Sequence, residues 1–371
     1  MGRTSKRADG LREKKVMING KRYSIYAKTE LEMLQKIEEK RQEIERASFK
    51  VVKDMTVREY ADRWIENRRN AVTSTTIRSH QIKLKRICKT EIDRAGHLFG
   101  DLMLTEVEPD HVRELQHRLE RDGFHSSTVN TSVSEIRSVF KDAVVDRIIT
   151  FNPAAGIKPI KRTEEEARDK NHRALSDEEI KTFFEAAKGT WYYDLYVFLI
   201  QTGCRVGEAG ALMYDDVSDG IVSIKRSVTR SEYGDYEIGR TAKTKSGIRD
   251  IPLNELAKEA LEEQKRFNFE SLGEEAANKD PRYFRNTKGG VVGCHPVNVA
   301  IRTICKKTGI ENFSTHAFRH TFATRAIMSG MMPKTLQEIL GHSDINLTMN
   351  LYSHVMPSTK IEEMGNVHIE I

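Results

Sequence analysis

Residues 202–208 read Thr-Gly-Cys-Arg-Val-Gly-Glu and follow the apolar run Leu195 to Ile200. A glycine directly after an apolar helical stretch is a helix C-cap signal. The stretch therefore predicts one helix ending at Gly203 and a second starting at Arg205. At a helix start, backbone N–H groups and the positive end of the dipole favour anions. An arginine in that place is more often plain solvated surface, so the stretch gains weight only from what lies further along the chain.

Two further clusters share its character. His316-Ala317-Phe318-Arg319-His320 places His316 and Arg319 three residues apart, on one face of a helix. His316 and His320, four apart, have metal-ligand spacing, but a zinc protease would need HExxH and the glutamate is absent. Leu340-Gly341-His342 is followed ten residues later by Tyr352, in Tyr352-Ser353-His354. Strands are predicted at Ile221–Lys225, around Tyr236–Lys243 and at Ile248–Leu253, with Lys243–Gly247 as a hairpin tip. Two arginines, two histidines, a lysine-tipped hairpin and a tyrosine suit a phosphodiester. Arginine forks match non-bridging phosphate oxygens bidentately. No carboxylate pair offers a magnesium site, so side chains must meet the phosphate charge. A tyrosine hydroxyl can attack phosphorus to form a covalent intermediate.

Upstream, Leu175 and the capping box Ser176-Asp177-Glu178-Glu179 open this last domain, with Leu175 and Ile180 placed for a hydrophobic staple. Residues 156–173 are densely charged, lack an apolar period and read as a linker. Residues 54–155 read as all-helical. Val57, Tyr60, Ala61, Trp64 and Ile65 form an apolar stripe, and a second helix runs near residues 75–89. Val112, Leu115 and Leu119 mark a third helix, and Val129, Val133, Ile136, Phe140, Ala143 and Val144 a fourth, closed by Asn152-Pro153. Residues 10–46 form a small module. Val16, Ile18, Tyr23 and Ile25 alternate around Asn19-Gly20, a favoured two-residue hairpin turn. Thr29 and Glu32 have capping-box spacing for a helix with Leu31, Leu34 and Ile37 on its apolar face.

The 371 residues suggest two or three domains, with cores large enough to need no disulfide or metal staple. The longest apolar run is far too short to span a membrane, and the basic N-terminus has no apolar signal core. Cys88, Cys204, Cys294 and Cys305 are singletons, which reads as a reduced, intracellular chain. The net charge of +6 is unevenly spread. Residues 1–28 hold nine basic residues (Arg3, Lys6, Arg7, Arg12, Lys14, Lys15, Lys21, Arg22, Lys28) against Asp9 and Glu13, so the remainder is near neutral. A basic arm on a neutral body points to nucleic acid or another anionic surface; a merely solvated hairpin is the plainer alternative.

Taken together, the clusters resemble the tyrosine recombinase family, the integrases of phages and conjugative transposons. Arg205, Lys243, His316-x-x-Arg319, His342 and Tyr352 match its six active-site positions in order. Either lysine of Lys243-Thr244-Lys245 could reach a phosphate; Lys243 matches the family's Lys-Thr pair. Cys204 replaces a commoner leucine and Tyr214 a frequent tryptophan, both packing changes. The resemblance implies a mainly α fold with small β elements. It comprises an arm-type DNA-binding module (1–50, ββ(β)α), a SAM-like helical core-binding domain (54–155), a linker (156–173) and a mixed α/β, mainly α catalytic domain with a C-terminal tail (174–371). It implies that Tyr352 attacks the scissile phosphate to give a 3′-phosphotyrosine, while Arg205 and Arg319 clamp the non-bridging oxygens. Lys243 would protonate the leaving 5′-oxygen, His316 assist as acid/base and His342 donate a hydrogen bond. Arg3, Lys6, Arg7, Arg12, Lys14, Lys15, Lys21 and Arg22 would contact arm DNA. No metal or cofactor is implied. The implied partners are double-stranded core and arm DNA, a tetramer of the chain around a Holliday junction, and an excisionase or DNA-bending accessory protein; the implied location is the bacterial cytoplasm, at the nucleoid. A type IB topoisomerase and a non-catalytic DNA-binding protein are the alternatives. The tail Met356–Ile371, with Ile361, Met364 and Val367, is expected to dock on a neighbouring subunit or fold back in cis.

Overall fold

A computed structural model describes residues 11–18, 21–48, 55–163, 166, 173–240 and 247–355, and the chain divides into two compact units, 1–163 and 164–371. Asn19-Gly20, Arg3, Lys6, Arg7, Lys243, Lys245 and the tail from Met356 lie outside the described residues.

In the first unit, β1 (Arg12–Ile18) and β2 (Lys21–Ala27) pair antiparallel with Val16 opposite Tyr23 and Ile18 opposite Lys21. The alternation puts Val16, Ile25 and Ala27 on one face, where they pack with Met33 and Ile37 of α1 (Glu30–Ser48). The buried face of α1 differs from the expected one, because Leu31 and Leu34 are 71% and 55% exposed. Met33 and Ile37 face the hairpin instead, and at the rim the Lys36 ammonium donates to the Tyr26 carbonyl at 3.2 Å and pairs with Glu32 at 2.8 Å. The expected cap forms: Thr29 Oγ1 accepts from the Glu32 amide at 3.2 Å, and Glu32 accepts in return from the Lys28 amide at 3.0 Å.

Four helices follow: α2 (Val57–Arg68), α3 (Ser74–Lys89), α4 (Pro109–Arg121) and α5 (Ser126–Val145). The expected stripes of α2, α4 and α5 are buried in one core, except that Val144 is only partly covered. Polar groups at the edge of that core are satisfied, as burial requires. Trp64 Nε1 and Arg68 both donate to Asp142 at 2.7 Å, and the Tyr60 hydroxyl donates to Asp146 at 2.8 Å. Helix α5 ends at Val145, ahead of Asn152-Pro153, because Arg147 turns the chain with a φ of +58°. Asn152 braces the returning chain by donating to the Arg137 carbonyl and accepting from the Ala154 amide, both at 2.9 Å. The segment read as a linker is docked at its start. Arg137, Gln116 and Asn130 donate to the carbonyls of Ile157, Lys158 and Ile160 at 2.8–2.9 Å, and Ile157 is buried.

The second unit opens with α6 (Asp177–Ala187), whose capping box joins Ser176 and Glu179 reciprocally. It continues through α7 (Tyr193–Thr202), α8 (Val206–Ala209), α9 (Glu255–Leu272), α10 (Glu274–Lys279), α11 (Cys294–Thr308), α12 (Thr315–Met328), α13 (Pro333–Leu340) and α14 (Ile345–Val355). Phe183, Tyr196, Phe313 and Phe318 interlock with ring centroids 5.1–5.7 Å apart at the centre of its core. Between α8 and α9, β3 (Val217–Ser218), β4 (Ile221–Ile224) and β7 (Arg249–Pro252) form one antiparallel sheet in the order β3-β4-β7. A second sheet pairs β5 (Arg226–Arg230) with β6 (Tyr236–Arg240). This corrects the expected strand pairing. The strands flanking Lys243–Gly247 are not each other's partners: β6 pairs with β5 and β7 with β4. Two strands, β3 and β5, were not expected from the sequence. β5 hid because Arg226, Thr229 and Arg230 break the apolar alternation, and it pairs along an open ribbon instead of a core face. Cys204 is buried, and Tyr214 packs edge-on against Tyr283 and accepts from Asn268 Nδ2 at 3.1 Å.

Candidate active site

Gly203 ends α7 in the left-handed conformation, φ +66°, which a residue without Cβ adopts at little cost. The chain then turns so that Arg205 caps α8. This helix has only one turn, so it supplies little dipole, and its start is already occupied by Glu208. Glu208 Oε2 accepts from the Arg205 amide and Oε1 from Arg205 Nη1, both at 2.9 Å. The Arg205 side chain remains 41% exposed, while Glu208 is buried.

Arg319 lies one turn into α12 and is buried. Its Nη1 donates to the Gly203 carbonyl at 2.9 Å and its Nη2 to the Leu340 carbonyl at 2.6 Å. These bonds bring three distant stretches together: the Gly203–Arg205 turn, α12, and the end of α13. Gly341, also left-handed with φ +66°, then delivers His342. The His342 Nδ1 lies 2.9 Å from Thr348 Oγ1, a fully buried hydroxyl on α14.

A second buried arginine completes the cluster. Arg249 Nη1 and Nη2 fork onto Glu208 Oε1 and Oε2 at 3.1 and 2.7 Å, and Nε donates to the Ile339 carbonyl at 2.6 Å. Burial by itself would raise the Glu208 carboxyl, but Arg249 and Arg205 overcome it and hold it near about 2. Three guanidiniums around one carboxylate leave the site positive. Burial, then the charges of Arg205 and Arg249, push Arg319 down to about 9 despite Glu208. Burial, then the charges of Arg319, Arg205 and Arg249, push His342 down to about 4, so its imidazole is neutral at physiological pH. A site in which cations already repel one another is matched to an anion.

The structure thus gathers Arg205, Arg319 and His342. His316 is exposed, one turn before His320 on α12. Tyr352, on α14, donates its hydroxyl to the Met331 carbonyl and packs in a separate small core with Phe322, Leu336 and Leu340. Partial burial raises its pKa. No group of three or more His, Cys, Asp or Glu side chains among the described residues could hold a metal. A cavity of about 570 Å³ lined by Phe184, Val197, Phe322 and Met331 includes none of Arg205, Arg249, Arg319 or His342.

Sequence reasoning missed Glu208 and Arg249. Glu208 had a signal, the capping-box spacing three residues after Arg205. Arg249 shares the inward phase of β7 with buried Ile251, and a charge on a core-facing phase is the signal that was available.

The phage integrase family model matches residues 173–358, half of the chain. Relatives include a tyrosine recombinase XerC-like protein of Caldanaerobacter subterraneus, 27% identical over 292 residues that make up 74% of each chain. The transposase from transposon Tn916 of Enterococcus faecalis is 27% identical over 285 residues, 73% of this chain and 69% of that one. Among solved structures, the Tn1549 transposon integrase in complex with a circular intermediate DNA shares the fold with a TM-score of 0.68 at 24% identity, covering 84% of this chain and 100% of that one. A lambda integrase tetramer bound to a Holliday junction gives a TM-score of 0.57 at 17% identity, with 92% and 95% covered. The chain therefore belongs to the phage integrase family and is a tyrosine recombinase, an enzyme that breaks and rejoins DNA.

Proposed function

We propose that this chain integrates and excises a mobile element through a 3′-phosphotyrosine intermediate, with Tyr352 as nucleophile. The Tyr352 oxygen bonds to the scissile phosphorus as the bond to the 5′-oxygen breaks; the phenolic proton leaves toward solvent or His316, and Lys243 gives the 5′-oxygen its proton. Arg205 and Arg319 take the non-bridging oxygens, where charge builds in the transition state, and removal of one such donor typically costs about 10²–10³ in rate. His342, neutral and held through Nδ1 by Thr348, offers Nε2 to the phosphate. For attack, the Tyr352 hydroxyl exchanges the Met331 carbonyl for the phosphate. Ester is exchanged for ester, so the reaction stores its bond energy and draws on no ATP.

The observation that carries this reading is the Arg205–Glu208–Arg249–Arg319–His342 cluster. Its elements come from four separate parts of the second unit and its excess positive charge is matched to a phosphodiester. The relatives whose solved structures hold circular-intermediate DNA and a Holliday junction support a DNA substrate and assembly as a tetramer. Residues 54–155 suit core-site DNA and residues 174–371 the chemistry, joined through 156–173, while residues 1–50 suit separate arm sites. There Arg12, Lys14 and Lys21 share one face of the hairpin and Lys15 and Arg22 the other; Arg3, Lys6 and Arg7 belong to the same basic stretch of sequence. An excisionase or DNA-bending protein would set direction, and the reaction belongs at the bacterial nucleoid.

The test is a nicked core-site duplex incubated with the full chain and resolved under denaturing conditions. Wild type yields a covalent protein–DNA adduct and Tyr352→Phe yields none while still binding the duplex. Absence of an adduct from wild type on a duplex that it binds would refute the reading.

A further inference from the structure

Among the described residues, the ion pair with both side chains most fully buried involves a residue to which the reaction above assigns nothing. Arg249 is 9% exposed and sits at the start of β7, its side chain on the same face as Ile251. Burying a guanidinium is costly unless its donors are paired, and a buried ion pair is commonly no more stable than an apolar pair of equal volume. A buried fork is therefore poorly explained by stability alone. Its contacts describe what it holds. Two donors take both oxygens of Glu208, and the remaining two acceptor positions of that carboxylate receive the amide and Nη1 of Arg205. The third donor takes the Ile339 carbonyl, one residue before the Leu340 carbonyl that Arg319 takes. The guanidinium also lies close to the next residue but one. A Cβ on Gly341 would meet Arg249 Nη1 at 3.0 Å and Cζ at 3.1 Å, so the turn that delivers His342 is seated on this side chain. Two positive groups at the end of α13 also complement its negative dipole end.

We propose that Arg249 is a positioning residue: it fixes Arg205, through Glu208, in register with the Leu340–His342 turn, so that the phosphate clamp is assembled before DNA arrives. The proposal rests on the phosphotyrosine reading. A lysine at this position keeps the charge but offers one compact donor group where the fork offers three directed ones. The clamp would loosen while the DNA-binding surface stayed as it is.

The experiment is a double-mutant cycle on the full chain, using Arg249→Lys, Arg205→Lys and the double variant. Adduct formation on nicked core-site DNA is measured at saturating protein, and duplex affinity is measured separately. All assays run about 15 °C below the lowest melting midpoint of the set, where each protein is folded. The expected result is near-wild-type affinity for Arg249→Lys with adduct formation slowed about 30- to 100-fold, the scale of an ångström-level misplacement. In the Arg205→Lys background the same change costs less than about threefold, because contacting residues couple. A purely structural Arg249 would slow both backgrounds by the same factor, and that outcome overturns the proposal, as does a folded Arg249→Lys that cleaves at the wild-type rate. If neither Arg249→Lys nor Arg249→Gln yields folded protein, Arg249 serves stability and the proposal falls. A wild type without adduct sinks the phosphotyrosine reading instead, so the two failures are distinct.

Discussion

Arg319 donates to the Leu340 carbonyl at 2.6 Å, closing the last turn of α13 with a side chain from the middle of the fold. Its other terminal nitrogen holds the Gly203 carbonyl. Arg319 thus holds the fold together besides its proposed role at the phosphate, whereas Arg205 is partly exposed. Arg319→Ala strands two carbonyls, at about 1–3 kcal/mol for each left unsatisfied. Arg205→Ala loses a partly exposed pair worth about 1 kcal/mol or less. Urea unfolding of the two variants should therefore separate them clearly, although both are expected to slow cleavage by about 10²–10³. Equal midpoints would contradict this division of roles.

Glu208 provides an acid-range signature. Its folded pKa, near about 2, is below its unfolded value of 4.5. The carboxylate therefore contributes stability that is fully present above pH 4.5 and is lost as pH falls toward 2. Glu208→Gln removes the charge facing Arg249 and Arg205 and should destabilise by about 3–5 kcal/mol, the usual cost of breaking a buried pair. A denaturation midpoint within about 1 kcal/mol of wild type would mean that the carboxylate is not the counter-charge of this cluster.

His342 should lose stability in the same direction of pH, over a higher window. Its folded pKa of about 4 lies below the ordinary 6.5, so the fold prefers the neutral ring. That preference stabilises fully above pH 6.5 and fades as pH falls to 4, with a ceiling of about 3 kcal/mol that solvent screening of the half-exposed ring lowers. Melting curves of wild type and His342→Asn, taken between pH 4 and 7, should converge toward the acid end. Parallel curves would show that the imidazole is not held neutral.

The hairpin of the first unit makes a salt-dependent prediction. Lys15 and Arg22 stand on β1 and β2, paired in register with Ser24 and Met17. If they neutralise arm-site phosphates, Lys15→Gln/Arg22→Gln should reduce the slope of log affinity against log salt by about 0.9 for each phosphate that is no longer neutralised. Core-site cleavage should be unaffected. An unchanged slope would place the arm's DNA-binding surface elsewhere.

Much of the architecture was legible because its physics is local. The stripe Val57–Tyr60–Ala61–Trp64–Ile65 and the Ser176–Glu179 box each encode a helix face or a helix start within a few residues. The failures involve choices made by distant neighbours. Ile37 was expected in the core and lies there, but Leu31 and Leu34 are as apolar as Met33, and packing against Val16, Ile25 and Ala27 of the hairpin decides which of them is covered. The strands around Lys243 read as a hairpin because they are adjacent in sequence, yet each had a better partner across the sheet.

The order Arg205, Lys243, His316, Arg319, His342 and Tyr352 is legible without coordinates, because a motif is carried by residue type and spacing alone. Tertiary structure decided how three of these residues come together. Arg205, Arg319 and His342 lie up to 137 positions apart, and they meet because the carbonyls of Gly203 and Leu340 take their donors from a side chain far along the chain. It also revealed Glu208 and Arg249, since the worth of a buried charge depends on partners that are distant in sequence and adjacent only in the fold.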